Sequence, residues 1–250
     1  IIWDAKRQEL VALDANGPAP AAATLDNYAG GIPEHGPLAA SCPGTVAGWE
    51  AVLSRFGTRT LSDVLQPAIG YAEHGFPVGH LLHSELTASE QSLRQWPTSE
   101  KVFYPGGRVP APTDRLVLAD LARSLKLIAQ HGPRVFYEGE IAQRIGDFMA
   151  SVGGLMTAAD LARVQARWRE PLHTSYRGVD CYWQPPSSQG FIIGEELNVL
   201  EGYEAASMPL AERLHLMVEA KKLAFADRSR HICDPDFHPV PMDVLLSRDH

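Results

Sequence analysis

The hydrophobic and polar pattern predicts strands at the start of the chain, helices in its middle, and then a strand followed by two helices. Two short apolar runs, at residues 1–3 and 10–13, flank the polar residues 6–9, which predicts a β-hairpin. Near residue 180, Val179, Cys181 and Trp183 alternate with more polar neighbours, which predicts a half-buried strand. Strands are therefore expected only at the start of the chain and near residue 180.

Helical spacing dominates residues 43–166. A helix is predicted to open within residues 41–49 and to end at Gly57, and a capping box from Thr60 to Asp63 predicts the start of the next. Further helices are predicted at residues 64–73, 80–95, 116–130 and 141–151, after Thr157, and at residues 210–230, with a possible strand at residues 101–104. The order of elements predicts an α/β or α+β layer arrangement. No glycine-rich nucleotide-binding motif follows a strand.

The turn at residues 184–190 is the most distinctive local feature. Two prolines end the strand, Ser187 and Ser188 follow, and apolar residues then recur at helical spacing from Ile192. The favoured interpretation is that the serines cap the helix. A catalytic serine is less favoured, because no Gly-x-Ser-x-Gly elbow surrounds either residue.

Composition excludes several classes of protein. With 250 residues, 45% hydrophobic and 21% charged, the chain can bury a large core. The net charge of −8 and the absence of a basic cluster argue against nucleic acid and anionic membranes as partners.

Three scattered cysteines and ten histidines form no metal-binding motif, so we expect no metal and no cofactor. The odd cysteine count slightly favours a reducing compartment, so a cytoplasmic location is expected, with the periplasm as the alternative. The chain begins inside a predicted strand and has no disordered tail at either end, so it is expected to be one piece of a larger protein.

Several motifs in fixed order resemble the large subunit of the γ-glutamyltranspeptidase family. Each motif alone is weak, but together they span nearly the whole chain. They lie at residues 14–24, 43–48, 67–69, 75–78, 132–133 with 136–139, 153–155, 185–190, 197–201, 224–228 and 234–237.

The resemblance implies an N-terminal-nucleophile hydrolase with a four-layer αββα sandwich, of which residues 1–250 supply the large-subunit half of a single domain. In that family a precursor cuts itself, and the nucleophile is the first threonine of the small subunit, activated by its own α-amine. No catalytic residue is therefore expected in this chain. The implied partners are a small subunit from the same precursor and a small-molecule amide, with a dimer of such heterodimers as a further expectation.

One departure bears on the substrate. In the transpeptidases, an arginine before the Ala-Pro pair grips the α-carboxylate of the γ-glutamyl group, whereas this chain has Asn16 and Gly17 there. A neutral amide cannot make the bidentate charged contact of a guanidinium. Asn16 and Gly17 are therefore the candidate substrate-binding residues, and the resemblance is closer to the oxamate amidohydrolase and glutaryl or cephalosporin acylase branches. Alternatively, Asn16 is only a turn residue and another side chain binds the substrate carboxylate.

Three functions remain open on the sequence. The first is a subunit of a self-processing amide hydrolase or acyltransferase, with a true γ-glutamyltransferase or glutathione hydrolase as the alternative within that class. The second is an inactive relative that serves as a scaffold. The third is an independent serine hydrolase that uses Ser187 or Ser188 with a histidine.

Overall fold

The computed structural model describes residues 1–250 and divides them into two compact units, Ile1–Asn16 with Gln165–His250, and Gly17–Val164. We call them the strand unit and the helical unit. None of the helices combines the length and the apolar character needed to cross a bilayer.

The strand unit contains a three-stranded antiparallel sheet, a hairpin and three helices. The sheet order is β1-β2-β5, with Ile2 opposite Val11 and Ala12 opposite Arg169. The elements are β1 (Ile2–Asp4), β2 (Glu9–Asp14), β5 (Arg167–Arg169), β6 (Leu172–Tyr176), β7 (Val179–Trp183), α10 (Phe191–Glu201), α11 (Leu210–His231) and α12 (Met242–Leu245). The predicted hairpin at the start of the chain, the strand near residue 180 and the long helix after residue 210 are confirmed.

The hairpin of β6 and β7 turns through only Arg177 and Gly178, both of which have positive φ values of 50° and 79°. A two-residue turn with positive φ at both positions matches the twist of the two strands, and glycine adopts it without strain. The core of the strand unit lies where α10 and α11 meet, around Phe191, Ile192 and Ala224.

The helical unit contains one large core and a two-stranded pairing of β3 with β4. Leu125 and Ile128 are buried in this core, as their helical spacing predicts. The elements are α1 (Thr45–Phe56), α2 (Leu61–His74), β3 (Phe76–Pro77), α3 (His80–Ala88), α4 (Glu90–Leu93), α5 (Pro97–Phe103), β4 (Arg115–Leu116), α6 (Ala119–His131), α7 (Arg134–Tyr137), α8 (Glu140–Ser151) and α9 (Ala158–Leu161). Both predicted capping boxes, Thr60 with Asp63 and Thr157 with Asp160, are confirmed.

Three predictions for the helical unit are wrong. The unit contains the short strands β3 and β4, although strands were expected only at the start of the chain and near residue 180. Residues 101–104 lie in α5 and its C-cap, not in a strand, because Pro97 begins a helix that its missing N–H does not weaken. The predicted helix at residues 80–95 is interrupted at Ser89, where the backbone leaves the helical region.

Candidate functional site

The end of β2 lies against the turn at residues 184–190, and both belong to the strand unit. The Gln184 side-chain amide donates to the Leu13 carbonyl at 3.0 Å. The Asn16 side-chain amide donates to Ser187 Oγ at 3.3 Å, and the Asn16 backbone N–H donates to Asp14 Oδ1 at 3.1 Å. Asn16 therefore lies just after β2, with its side chain directed at the 184–190 turn.

The predicted capping role of Ser187 and Ser188 is wrong. Helix α10 begins at Phe191, and its N-cap is Gly190, with no side-chain capping hydrogen bond. A Cβ atom on Gly190 would lie 3.0 Å from Trp183 Cβ and 3.2 Å from the Gln184 carbonyl oxygen. The turn folds back closely on β7, so any larger residue at the helix start would require Trp183 or Gln184 to shift, and the serines remain outside the helix.

A side chain of helix α11 also contacts the 184–190 turn. The Arg228 Nε–H donates to the Gln189 side-chain carbonyl at 2.5 Å. The guanidinium of Arg228 also lies 5.4 Å from the centre of the Phe225 ring. The 184–190 turn is therefore held by the backbone carbonyl of Leu13 in β2, by the side chain of Asn16 and by Arg228 of α11. It presents two serine hydroxyls that are not part of a helix cap.

The structure gives no support to a serine nucleophile. Ser187 Oγ accepts from Asn16, and the Ser188 backbone N–H donates to the Pro185 carbonyl at 3.1 Å. No histidine hydrogen-bonds to either hydroxyl in the structure, so neither serine has the adjacent general base that activation requires.

Two arginines of β5 lie near the end of β2, since Arg167 is paired with Asp14 in the sheet register. Arg167 makes an ion pair and hydrogen bond with Asp236, and Arg169 lies 3.6 Å from the other oxygen of that carboxylate. The hydrogen bond and charge of Arg167 hold the pKa of Asp236 below its ordinary value. The guanidinium of Arg167 is therefore hydrogen-bonded to a carboxylate of the protein, whereas Arg169 only reaches ion-pair distance and its buried Nε has no hydrogen-bond partner.

Gly17, the second candidate residue, lies in the helical unit. A Cβ atom there would lie 1.3 Å from the Cys42 carbonyl oxygen, and the next residue, Pro18, accepts a hydrogen bond from the Cys42 N–H at 3.0 Å. Close backbone packing therefore accounts for glycine at this position. All three cysteines are free thiols.

A carboxylate cluster that no sequence motif indicated lies behind the turn, also in the strand unit. Glu195 of α10 is only 5% exposed, and neither of its carboxylate oxygens has a hydrogen-bond partner. Burial, and then the negative charges of Asp227 and Glu196, raise the pKa of Glu195 to about 8. Asp227 Oδ2 in turn lies 3.0 Å from His250 Nε2. The spacing of these residues along the chain follows no known pattern, so only the fold brings them together.

Comparison with known proteins defines the family. A family model described as gamma-glutamyltranspeptidase matches residues 1–250. The chain is 43% identical over 216 residues to the acylase ACY 1 proenzyme of Pseudomonas sp. strain SE83, a match that covers 85% of this chain and 39% of that protein. It is 39% identical over 254 residues to the glutathione hydrolase proenzyme of Escherichia coli strain K12, covering 97% of this chain and 44% of that protein.

The fold agrees with these matches. The crystal structure of Helicobacter pylori γ-glutamyltranspeptidase matches with a TM-score of 0.93 and 35% identity, over 99% of this chain and 74% of that chain. The chain belongs to the γ-glutamyltranspeptidase family. The predicted mixed α/β fold is confirmed, and the chain spans less than half the length of the two curated relatives.

Proposed function

We propose that this chain is the large-subunit part of a self-processing amide hydrolase that acts on a small acyl amide. The relatives described above are named as proenzymes of an acylase and of a glutathione hydrolase, which supports a processed amide-cleaving enzyme. The nucleophile is then a threonine at the start of the small subunit, and this chain supplies part of the substrate pocket.

The observation that carries the choice of substrate is the contact of Asn16. A neutral amide that is directed at Ser187 Oγ stands where the transpeptidases have an arginine. The nearby Arg167 is hydrogen-bonded to Asp236, and Arg169 lies within ion-pair distance of the same carboxylate. We infer that neither replaces that arginine. Without a cation at this position, the α-carboxylate of a γ-glutamyl group loses its charged partner, so a γ-glutamyl amide is less favoured. An oxamate-like amide carries its carboxylate directly on the amide carbonyl, where this position does not have to bind it. A glutaryl group keeps a carboxylate at the γ-glutamyl distance, so the glutaryl-like amide is supported by the resemblance to the acylase branch and not by Asn16.

Intact mass analysis of the full-length protein tests the processing. We expect two polypeptides, one that contains residues 1–250 and a smaller one that begins with threonine. A single unprocessed polypeptide that cleaves no amide would favour the inactive scaffold instead.

A substrate panel of γ-glutamyl anilide, oxamate and glutaryl-cephalosporin tests the specificity. We expect wild-type kcat/KM to be lower on the γ-glutamyl anilide than on oxamate. Asn16→Arg should raise kcat/KM on that substrate by about 10- to 100-fold, because a charged bidentate contact is worth about 1.5–3 kcal/mol. The control Asn16→Gln keeps a neutral amide and should leave it nearly unchanged. A wild-type preference for the γ-glutamyl anilide would contradict the substrate assignment and leave the amide hydrolase proposal standing.

A further inference from the structure

Three side chains with metal-ligating atoms converge in the strand unit: Glu195 from α10, Asp227 from α11 and His250, which follows α12. One ligand atom from each lies within 4.8 Å of the other two. We propose that Glu195, Asp227 and His250 form a binding site for one divalent transition-metal cation, with Zn²⁺ as the ion that the donor set fits best.

The state of Glu195 is the first argument. Its side chain is 5% exposed and both oxygens lack any hydrogen-bond donor, although buried carboxylates normally have donors or a counter-charge. The charges that act on it, from Asp227 and Glu196, are both negative and oppose its ionisation. A cation at this position would supply the missing partner for both oxygens and offset the repulsion between the carboxylates.

A proton on Glu195 accounts for the arrangement less well. A protonated carboxyl group still needs an acceptor for its O–H, and neither oxygen of Glu195 has a hydrogen-bond partner of any kind. A metal ion needs only lone pairs from Glu195, and the lone pairs of both oxygens are free.

The geometry of the other two ligands is the second argument. Asp227 Oδ2 and His250 Nε2 lie 3.0 Å apart. Two ligand atoms at the usual zinc distances in a tetrahedral site lie about 3.3 Å apart, so only a small adjustment would admit the ion between them. A second imidazole, that of His231, lies 3.9 Å from the other oxygen of Asp227.

The donor types decide between cations. One imidazole nitrogen with two carboxylates suits Zn²⁺ and its neighbours in the first transition row, whereas Ca²⁺ and Mg²⁺ prefer an all-oxygen set. Three protein ligands leave a fourth position for water.

The test uses the full-length protein, stripped with a chelator and titrated with ZnCl₂ by isothermal calorimetry, with metal content measured after gel filtration. We expect one equivalent of Zn²⁺ per chain to be retained. Glu195→Gln should weaken Zn²⁺ binding by at least about 10-fold. The matched control Glu196→Gln, a change of the neighbouring carboxylate on the same helix, should leave the affinity within about two-fold, since Glu196 is not one of the three ligands.

His250→Gln provides a second variant if Glu195→Gln fails to fold, because the His250 side chain is 37% exposed and its replacement disturbs less packing. It should weaken Zn²⁺ binding as Glu195→Gln does, and it should remove the visible absorption bands of a Co²⁺-loaded protein. The proposal is overturned if the wild type retains no Zn²⁺, or if the ligand variants and Glu196→Gln bind it with equal affinity.

Discussion

At the scale of single residues, Asp160 is the buried carboxylate with the fullest set of partners. It is 3% exposed and accepts hydrogen bonds from the Ala21 N–H at 2.9 Å, from the Thr157 backbone N–H at 2.9 Å and hydroxyl at 2.7 Å, and from Arg163 at 2.6 Å. It therefore joins the segment after the Ala-Pro pair to the start of α9, within the helical unit.

Asp160→Asn should lower the free energy of unfolding by about 2–3 kcal/mol, because an amide turns an NH₂ group toward donors that need an acceptor. Urea denaturation of the full-length protein measures this. The control Asp26→Asn changes an exposed carboxylate and should lower stability by less than about 0.5 kcal/mol. Equal losses in the two variants would contradict the role given to Asp160.

The contribution of Asp160 should also depend on pH. Burial alone would raise its pKa, but the hydrogen bonds from Ala21 and Thr157, with the charge of Arg163, outweigh burial and hold the pKa below the ordinary 3.8. A carboxylate with a depressed pKa stabilises the fold above its unfolded pKa, and that contribution disappears as pH falls through the folded value. The stability difference between wild type and Asp160→Asn should be constant near neutral pH and shrink below about pH 4. A difference that grows on acidification would contradict this sign.

Gly17 allows the packing and substrate-binding interpretations to be separated. Gly17→Ala should lower stability by about 2 kcal/mol, because the Cys42 carbonyl 1.3 Å from the new Cβ belongs to the backbone and must shift. Thermal denaturation measures the loss. Gly79→Ala is the control, since nothing lies within 4 Å of a Cβ atom there. Unchanged stability with a raised KM would show that Gly17 acts on substrate.

At the scale of elements, a serine or threonine near a helix start either caps the helix or does not. Thr60 accepts from the Asp63 N–H at 3.1 Å and so caps α2, whereas Ser188 caps nothing. Thr60→Ala should cost about 1 kcal/mol and Ser188→Ala less than about 0.5 kcal/mol. Circular dichroism melts of the two variants provide the comparison. A larger loss for Ser188→Ala would restore the capping interpretation of the turn.

The sequence predicted those elements whose signals are local. The capping box at Thr60, the strand from Val179 and the helix stop at Gly57 each depend on a few neighbouring residues, and each is confirmed. The burial expected from the alternation is only partly confirmed, because Val179 is 63% exposed. The start of α10 could not be predicted the same way, because the close approach of Gly190 to Trp183 is a contact between a helix start and the preceding strand. Residues 101–104 were misassigned although the signal was local, because Pro97 at the first helical position is typical of a helix start.

The candidate site was predictable only in part. The Asn-Gly turn after β2 singled out Asn16, but its contact with Ser187 spans 171 positions of sequence. Glu195 and Asp227 come from two helices and His250 from the segment after α12, and neither their spacing nor their residue types form a motif. Sites of this kind are defined by the packing of α10 against α11 and become visible only in the fold.

At the scale of the whole molecule, α11 carries two apolar surfaces. Ala220 and Ala224 are buried. A second stripe at helical spacing is 40–61% exposed and consists of Leu210, Leu214, Met217, Val218 and Phe225. An exposed apolar stripe of this length is typical of a surface that another polypeptide covers. Because the chain spans less than half of its curated relatives, we expect the rest of the precursor to cover it.

Leu214→Glu in the full-length protein should therefore reduce the amount of small subunit that co-purifies with this chain, because a glutamate in the middle of the stripe must lose its hydration on association. His215→Glu is the matched control, since it places the same side chain at the adjacent exposed position, on the polar face of α11. We expect at least about a 10-fold weaker association for Leu214→Glu, measured by analytical ultracentrifugation of the processed protein, and little change for His215→Glu. Equal association of both variants with the small subunit would show that the stripe faces solvent in the assembled enzyme.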